Sequence, residues 1–171
     1  MLFSSSLLAI VGSGEIPSLS PRTLVLYNTK RNSPICELHF PTAILSVQLN
    51  RKRFIAVLHS HVHVCDMTSS QTVAVIETQP NPRGLCCLSA SQENCYLAFP
   101  ESTTTGGNVC IYDALTQTTL NVIEAHTTPL QIMQFNAAAS LLATASTKGT
   151  PPLPSLFYAA AIIYLLLLLL L

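Results

Sequence analysis

Three imidazoles stand at alternate positions in the stretch His59-Ser60-His61-Val62-His63, so a strand would carry all of them on one face. Three imidazoles can hold a zinc ion. Neighbours on one face of a single strand stand too far apart to meet at one tetrahedral ion. No Cys or carboxylate follows at ligand spacing, so the stretch reads as the polar face of an outer strand. The six cysteines are Cys36, Cys65, Cys86, Cys87, Cys95 and Cys110. No two have CxxC spacing, and most lie in apolar runs, where a free thiol behaves as a small hydrophobe. They are expected buried and reduced. The eight carboxylates are scattered singly, with no pair set for acid–base work. GxSxG and the phosphate-cradling GxxxxGK[ST] are both absent. No enzyme is expected, and neither a metal nor a cofactor.

The elements that would position any site come from a chain of 171 residues, long enough for one domain with a core. Charged residues are 9% of the total and the net charge is zero. No global field draws the chain to nucleic acid or to an anionic surface, so a polyanion site must be local. The one basic cluster, Asn50-Arg51-Lys52-Arg53, reads as a solvated turn. The N-terminal stretch MLFSSSLLAIVGSG lacks a basic leader and has a short apolar run, so it reads as a strand rather than a signal peptide.

Strand signals dominate. Short runs rich in Val, Ile, Leu and Tyr recur at 6–14, 22–28, 35–41, 43–50, 53–60, 61–66, 71–78, 84–90, 95–101, 108–113, 118–126, 130–136 and 141–147. The runs TLVLYN, HVHVCD and NVCIYD end on Asn28, Asp66 and Asp113, residues that close turns. These marks lie 38 and 47 residues apart, the length of a four-stranded propeller blade. Each stands where a WD-type blade has its Trp-Asp pair, with Tyr27, Cys65 or Tyr112 at the aromatic position. An ordinary β-sandwich is the competing architecture. His126 sits where such blades carry a His, and reads as a satisfied structural side chain.

Several longer strings are more particular: LFSSSLLAIV, LNRKRFIAVL, PNPRGLCCLS, NCYLAFPESTTTGGNVCIYD and LLATASTKGT. From Leu2 to Thr150 they resemble the PROPPIN family, the seven-bladed WD-repeat-like β-propellers of autophagy that bind phosphatidylinositol 3-phosphate. The resemblance implies an all-β fold, a partial, open β-propeller of about three blades plus half a blade. It divides 1–150 into blades at 1–41, 42–82 and 83–129 and a half blade at 130–150, with the family's first blade lying before this chain. It implies a non-enzymatic autophagy scaffold at the cytosolic, preautophagosomal or endosomal membrane surface. The implied partners are a phosphoinositide membrane and autophagy proteins, with no nucleic acid. By position, Thr144, Ser146, Gly149 and Thr150 match the family's TASxxGT contribution to a lipid-headgroup site. The family's Arg-bearing strand and Arg-Arg-Gly motif have no match here. Arginine offers a phosphate a charged, forked donor that hydroxyls lack, so lipid binding by this chain is expected to be defective. The loop after Asp66, MTSSQ, carries no basic residue for a partner that needs one.

Residues 151–171 form an apolar tail ending in seven leucines, and a C-terminal apolar helix is expected there. As a helix, 156–171 would span about 24 Å against a hydrocarbon core of roughly 30 Å. Three readings stand open: a membrane helix anchoring a protein-interaction fragment, a non-native ending, and a buried core helix. The first gives the alternative function, a tail-anchored membrane protein.

Overall fold

The structure, a computed structural model, describes residues 6–16, 19–91, 93–102, 106–146 and 164–167. These residues are all-β and contain no helix. They form four antiparallel sheets, each a meander of strands consecutive in sequence. The first holds β1 (Leu7–Val11), β2 (Thr23–Asn28) and β3 (Ser33–His39). The second holds β4 (Ser46–Leu49), β5 (Arg53–Val57), β6 (His61–Asp66) and β7 (Thr72–Glu77). The third holds β8 (Cys87–Leu88), β9 (Tyr96–Pro100), β10 (Gly107–Asp113) and β11 (Thr118–His126). The fourth holds β12 (Leu130–Phe135), β13 (Leu141–Ser146) and β14 (Tyr164–Leu167).

One turn design recurs in the first three sheets. Asn28 Oδ1 accepts from the Lys30 and Arg31 amides at 3.0 and 3.1 Å. Asp66 Oδ2 accepts from Thr68 and Ser69 at 3.0 and 2.9 Å. Asp113 Oδ1 accepts from Leu115 at 2.8 Å. Four residues after each stands a left-handed residue: Asn32 at φ 52°, Ser70 at 58° and Gln117 at 61°. The Ser70 and Gln117 amides donate back to the Asp66 and Asp113 carbonyls at 2.9 Å. A register shift follows in each pair, at Leu26/Tyr27, Val64/Cys65 and Ile111/Tyr112. The side chain satisfies amides that the tight turn would otherwise strand, and the extra residue bends the strand pair.

The sheets are layered in chain order. Alternation along β5 sends Phe54 and Ala56 to a core shared with Leu24, Leu26 and Phe40 of the first sheet. Its other face sends Ile55 and Val57 to a core shared with Leu97, Phe99, Cys110 and Tyr112 of the third. In β9 and β10 the complementary residues Tyr96, Ala98, Val109 and Ile111 meet Met133, Phe135 and Leu142 of the fourth. A strand apolar at every position is thus buried on both faces, each face against a different sheet. Each buried Val, Leu, Ile, Phe or Met among them contributes about 1.5–3 kcal/mol by leaving water.

Polar staples tie the layers. The Gln48 amide on β4 donates to the Cys86 carbonyl at 2.8 Å and accepts from the Leu88 amide at 2.7 Å. Buried Asn50 donates to the Ser89 carbonyl at 2.9 Å and accepts from Lys52 and Arg53. Arg53 pairs with Asp66 within its own sheet and donates from Nε to the Ala114 carbonyl at 3.0 Å. Two backbone donors, from Ser69 and Thr68, and the nearby guanidinium hold the Asp66 carboxyl below its ordinary value despite an opposing push from burial.

The expected C-terminal helix is corrected where the tail is described. Tyr164–Leu167 is a strand paired antiparallel to β13, with Leu141 opposite Leu167 and Thr144 opposite Tyr164. The free edge of β13 presents unpaired amides and carbonyls, and an apolar segment satisfies them as a third strand. The remainder of 151–171 lies outside the described residues. No helix among the described residues is long and apolar enough to cross a membrane.

Leu97→Ala empties a fully buried site between the second and third sheets. It is expected to cost about 2–5 kcal/mol in urea denaturation. Val75→Ala on the exposed β7 surface is expected to stay within about 0.5 kcal/mol. Equal costs for the two would contradict the layered core.

Candidate functional site

The site residues matched on family position begin on β13. Thr144 points into the boundary between the third and fourth sheets and is 2% exposed. Its Oγ1 lies 2.9 Å from Nε2 of His126, the last residue of β11. Ser146 closes β13 half-buried, and its Oγ accepts from the Thr128 hydroxyl at 3.0 Å. The two bonds run side by side from the segment after β11 to the end of β13. Gly149 and Thr150 lie outside the described residues.

Gly107 makes this approach possible. A Cβ there would stand 2.5 Å from both the His126 Cβ and the Thr128 carbonyl oxygen. Only glycine lets the start of β10 and the end of β11 close up so tightly. The result is a pair of hydroxyls with different chemistry. The Thr144 hydroxyl is sealed inside and spent on His126. Ser146 accepts from Thr128 and keeps its own proton to donate. Both are neutral donors, weaker toward a phosphate than a charged one.

One charged residue near this end was not singled out in the sequence. Arg83, in the loop before β8, donates from Nη2 to the Gln131 carbonyl at 3.3 Å and pairs through Nη1 with the Gln131 side chain. Gln131 follows Leu130, whose Cα partner across the strand pair is Ser146. The guanidinium is thereby tied to β12, the strand that pairs with β13. Arginine before a Gly–Leu turn carries no spacing signal for this, because the contact spans 48 residues.

The other groups able to do chemistry are held elsewhere. His61 Nδ1 lies 3.0 Å from the Ser60 hydroxyl. His63 packs edge-on against Phe40 with ring centroids 5.0 Å apart. Burial, and then the nearby His61, lower the His63 pKa. No group of three His, Cys, Asp or Glu among the described residues is placed to hold a metal ion. All six cysteines are free thiols, five of them buried and Cys36 half-buried. Burial pushes the Cys86 thiol up to about 12, and it raises Cys65, Cys87, Cys95 and Cys110 as well. A thiol that cannot ionise is a poor nucleophile and a poor metal ligand.

Comparison with known proteins follows the same ground. A sequence model of the PROPPIN family matches residues 1–153. Autophagy-related protein 18 of Mycosarcoma maydis is 44% identical over 172 residues, covering 88% of this chain and 38% of its own length. Autophagy-related protein 18 of Yarrowia lipolytica is 44% identical over 170 residues, with 88% and 42% covered. The chain thus spans about two fifths of the length of the curated relatives it matches. Among solved structures, KlAtg21 in complex with the coiled-coil of AgAtg16 superposes with a TM-score of 0.75 at 32% identity, covering 88% of this chain and 48% of that one. Hsv2 of Kluyveromyces lactis shares the fold at 15% identity and TM-score 0.67, with 85% and 43% covered.

Thr144→Val keeps the branched shape and removes the bond to His126. It is expected to lower stability by about 0.5–1.5 kcal/mol in urea denaturation, while Thr144→Ser restores most of the loss. A neutral Thr144→Val would show that the bond between the sheets carries no weight.

Proposed function

The chain belongs to the PROPPIN family, and on that premise we propose that it is part of an autophagy scaffold that reads phosphatidylinositol 3-phosphate on a membrane surface. The observation that carries this reading is the extended identity to autophagy-related protein 18 along nearly all of the layered sheets. Blades at 1–41, 42–82 and 83–129 and a half blade at 130–150, parts of an open propeller, are the division that this reading assigns. The three cores between successive sheets support it, because stacked antiparallel meanders are how blades bury themselves. The role that this reading assigns is non-enzymatic.

Within the proposed headgroup site the four positions divide their work. Ser146 offers its proton toward a phosphate. Thr144, spent on His126, positions β13 rather than touching the lipid. Gly149 and Thr150 keep the roles that family position gives them. No arginine follows Thr150 in these 171 residues, and the nearest described one, Arg83, is engaged with Gln131. Neutral hydroxyls alone hold an anionic headgroup weakly, so this chain by itself binds the lipid poorly. The AgAtg16 coiled-coil bound to the relative KlAtg21 supports autophagy proteins as partners. The place of action is then the cytosol and the preautophagosomal or endosomal membrane surface. A tail anchor has less support, since the described part of the tail is strand.

Flotation with phosphatidylcholine vesicles, with and without 3-phosphorylated phosphatidylinositol, tests the reading. The 171-residue chain is expected to float weakly, about equally with both. The same chain extended by the family's Arg-Arg-Gly strand is expected to float with the phosphoinositide vesicles alone. Strong, lipid-specific flotation of the 171 residues would contradict the proposed division of labour. Indifference of the extended chain would contradict the function itself.

A further inference from the structure

Four dipeptides of the sequence place proline after a hydroxyl: Ser20-Pro21, Ser33-Pro34, Thr128-Pro129 and Thr150-Pro151. Proline has a fixed φ and no amide proton, so it marks the hydroxyl before it for a transferase whose next subsite demands that shape. The fold sorts three of the four. Ser20 is half-buried, its Oγ accepts from the Arg22 amide at 3.2 Å, and the Pro21 carbonyl accepts from the Ile44 amide at 2.9 Å. Thr128 is half-buried and donates its proton to Ser146. Ser33 differs. It opens β3, and its hydroxyl bonds to none of the described residues. Lys30, Arg31, Asn32, Pro34 and Ile35 around it are all exposed. Thr150 lies outside the described residues.

The backbone at Ser33 is already shaped for such an enzyme. β3 is the last strand of its sheet, in the order β1-β2-β3. A residue before proline is held out of the helical region, and Ser33 is extended in the strand. The hairpin is also weakest here. Pro34 has no amide to give to β2. The register shift leaves Ile35 without a Cα partner, since Tyr27 faces Pro34 and Leu26 faces Cys36. This end can open locally while Cys36 and Leu38 stay packed on the core.

We propose that Ser33 is a phosphorylation site for a proline-directed protein kinase, and that Lys30 and Arg31 receive the phosphate. In the transfer Ser33 Oγ attacks the γ-phosphorus of ATP. The Oγ–P bond forms, the bond from that phosphorus to the β,γ-bridging oxygen breaks, ADP leaves, and the hydroxyl proton passes to the kinase's base. The product carries a charge of about −1.5 to −2. Lys30 and Arg31 precede Ser33 in the same turn, and neither forms an ion pair among the described residues. The hairpin tip thus passes from cationic to about neutral, a charge switch in one exposed turn. It lies on the first sheet and the β13 hydroxyls lie on the fourth, so the inference does not rest on lipid reading.

The test incubates the full 171-residue chain with magnesium ATP and a mitogen-activated protein kinase, and maps phosphate by mass spectrometry. Ser33 is expected to be labelled, with Ser20 and Thr128 left unmodified. Ser33→Ala is expected to remove that phosphate, and Pro34→Ala to slow its addition by about tenfold. A synthetic peptide of residues 27–40 is the unfolded control and is expected to be labelled as well. A labelled peptide beside an unlabelled folded chain would overturn the proposal. So would a peptide that takes no label, labelling at Ser20 or Thr128 ahead of Ser33, or an unchanged rate in Pro34→Ala. Phosphorus NMR then follows the phosphate's titration on the modified chain. Lys30 and Arg31 favour the dianion, so its midpoint is expected below the ordinary value of about 6. It is expected to rise in Lys30→Gln/Arg31→Gln, and an unchanged midpoint would overturn the part given to the two cations.

Discussion

The interior strands of the second and third sheets are buried on both faces, and the rest of the structure follows from that constraint. A strand such as β5 or β9 has no polar side to turn to water. Phe54 and Ile55 are adjacent in sequence and each is wholly buried, yet they belong to different cores. One sheet alone would expose half of these residues, so the second and third sheets each depend on a neighbour on either side. The outermost strands escape the demand because they face solvent, and there exposed Val75, Leu120 and Val122 are tolerated.

Apolar contact of this kind is non-directional, and the polar staples supply what it lacks. Gln48 reads the backbone of β8 as a strand would, accepting from one amide and donating to one carbonyl. His126 and Thr128 do the same work between the third and fourth sheets with Thr144 and Ser146. The lateral register of the sheets is thereby fixed, and with it the position of the end of β13. The proposed headgroup hydroxyl is placed by the same bonds that hold the sheets together. That coupling explains why one threonine of a matched motif faces inward while its serine keeps a donor to spare.

Much of this was legible in the sequence because its causes are local. Short apolar runs and Asn or Asp at turn starts marked the run RFIAV and the turn after HVHVCD close to where β5 and β6 lie. The left-handed residues were not legible: Ser70 and Gln117 carry no composition signal, and only the geometry of the turn demands their φ. His126 was read as a structural histidine, but its partner could not be named, since the bond joins two sheets. Asn50 and Arg53 were read as part of a solvated turn, whereas Asn50 is buried and both bond across to the next sheet, as Gln48 does. The tail misled because leucine favours a helix and a homopolymer has no period to say otherwise. What pulls 164–167 into a strand is the open edge of β13, which no local pattern in the tail encodes.

The central claim is that neighbouring sheets stabilise each other through two-faced strands, and residue-resolved hydrogen exchange tests it most directly. The amides of β5 and β6 in the second sheet and β9 and β10 in the third should open with one shared free energy. The outer strands β3, β7 and β11 should exchange faster. Exchange of β9 and β10 at a free energy well below that of β5 and β6 would mean that the sheets stand independently, and would contradict the account.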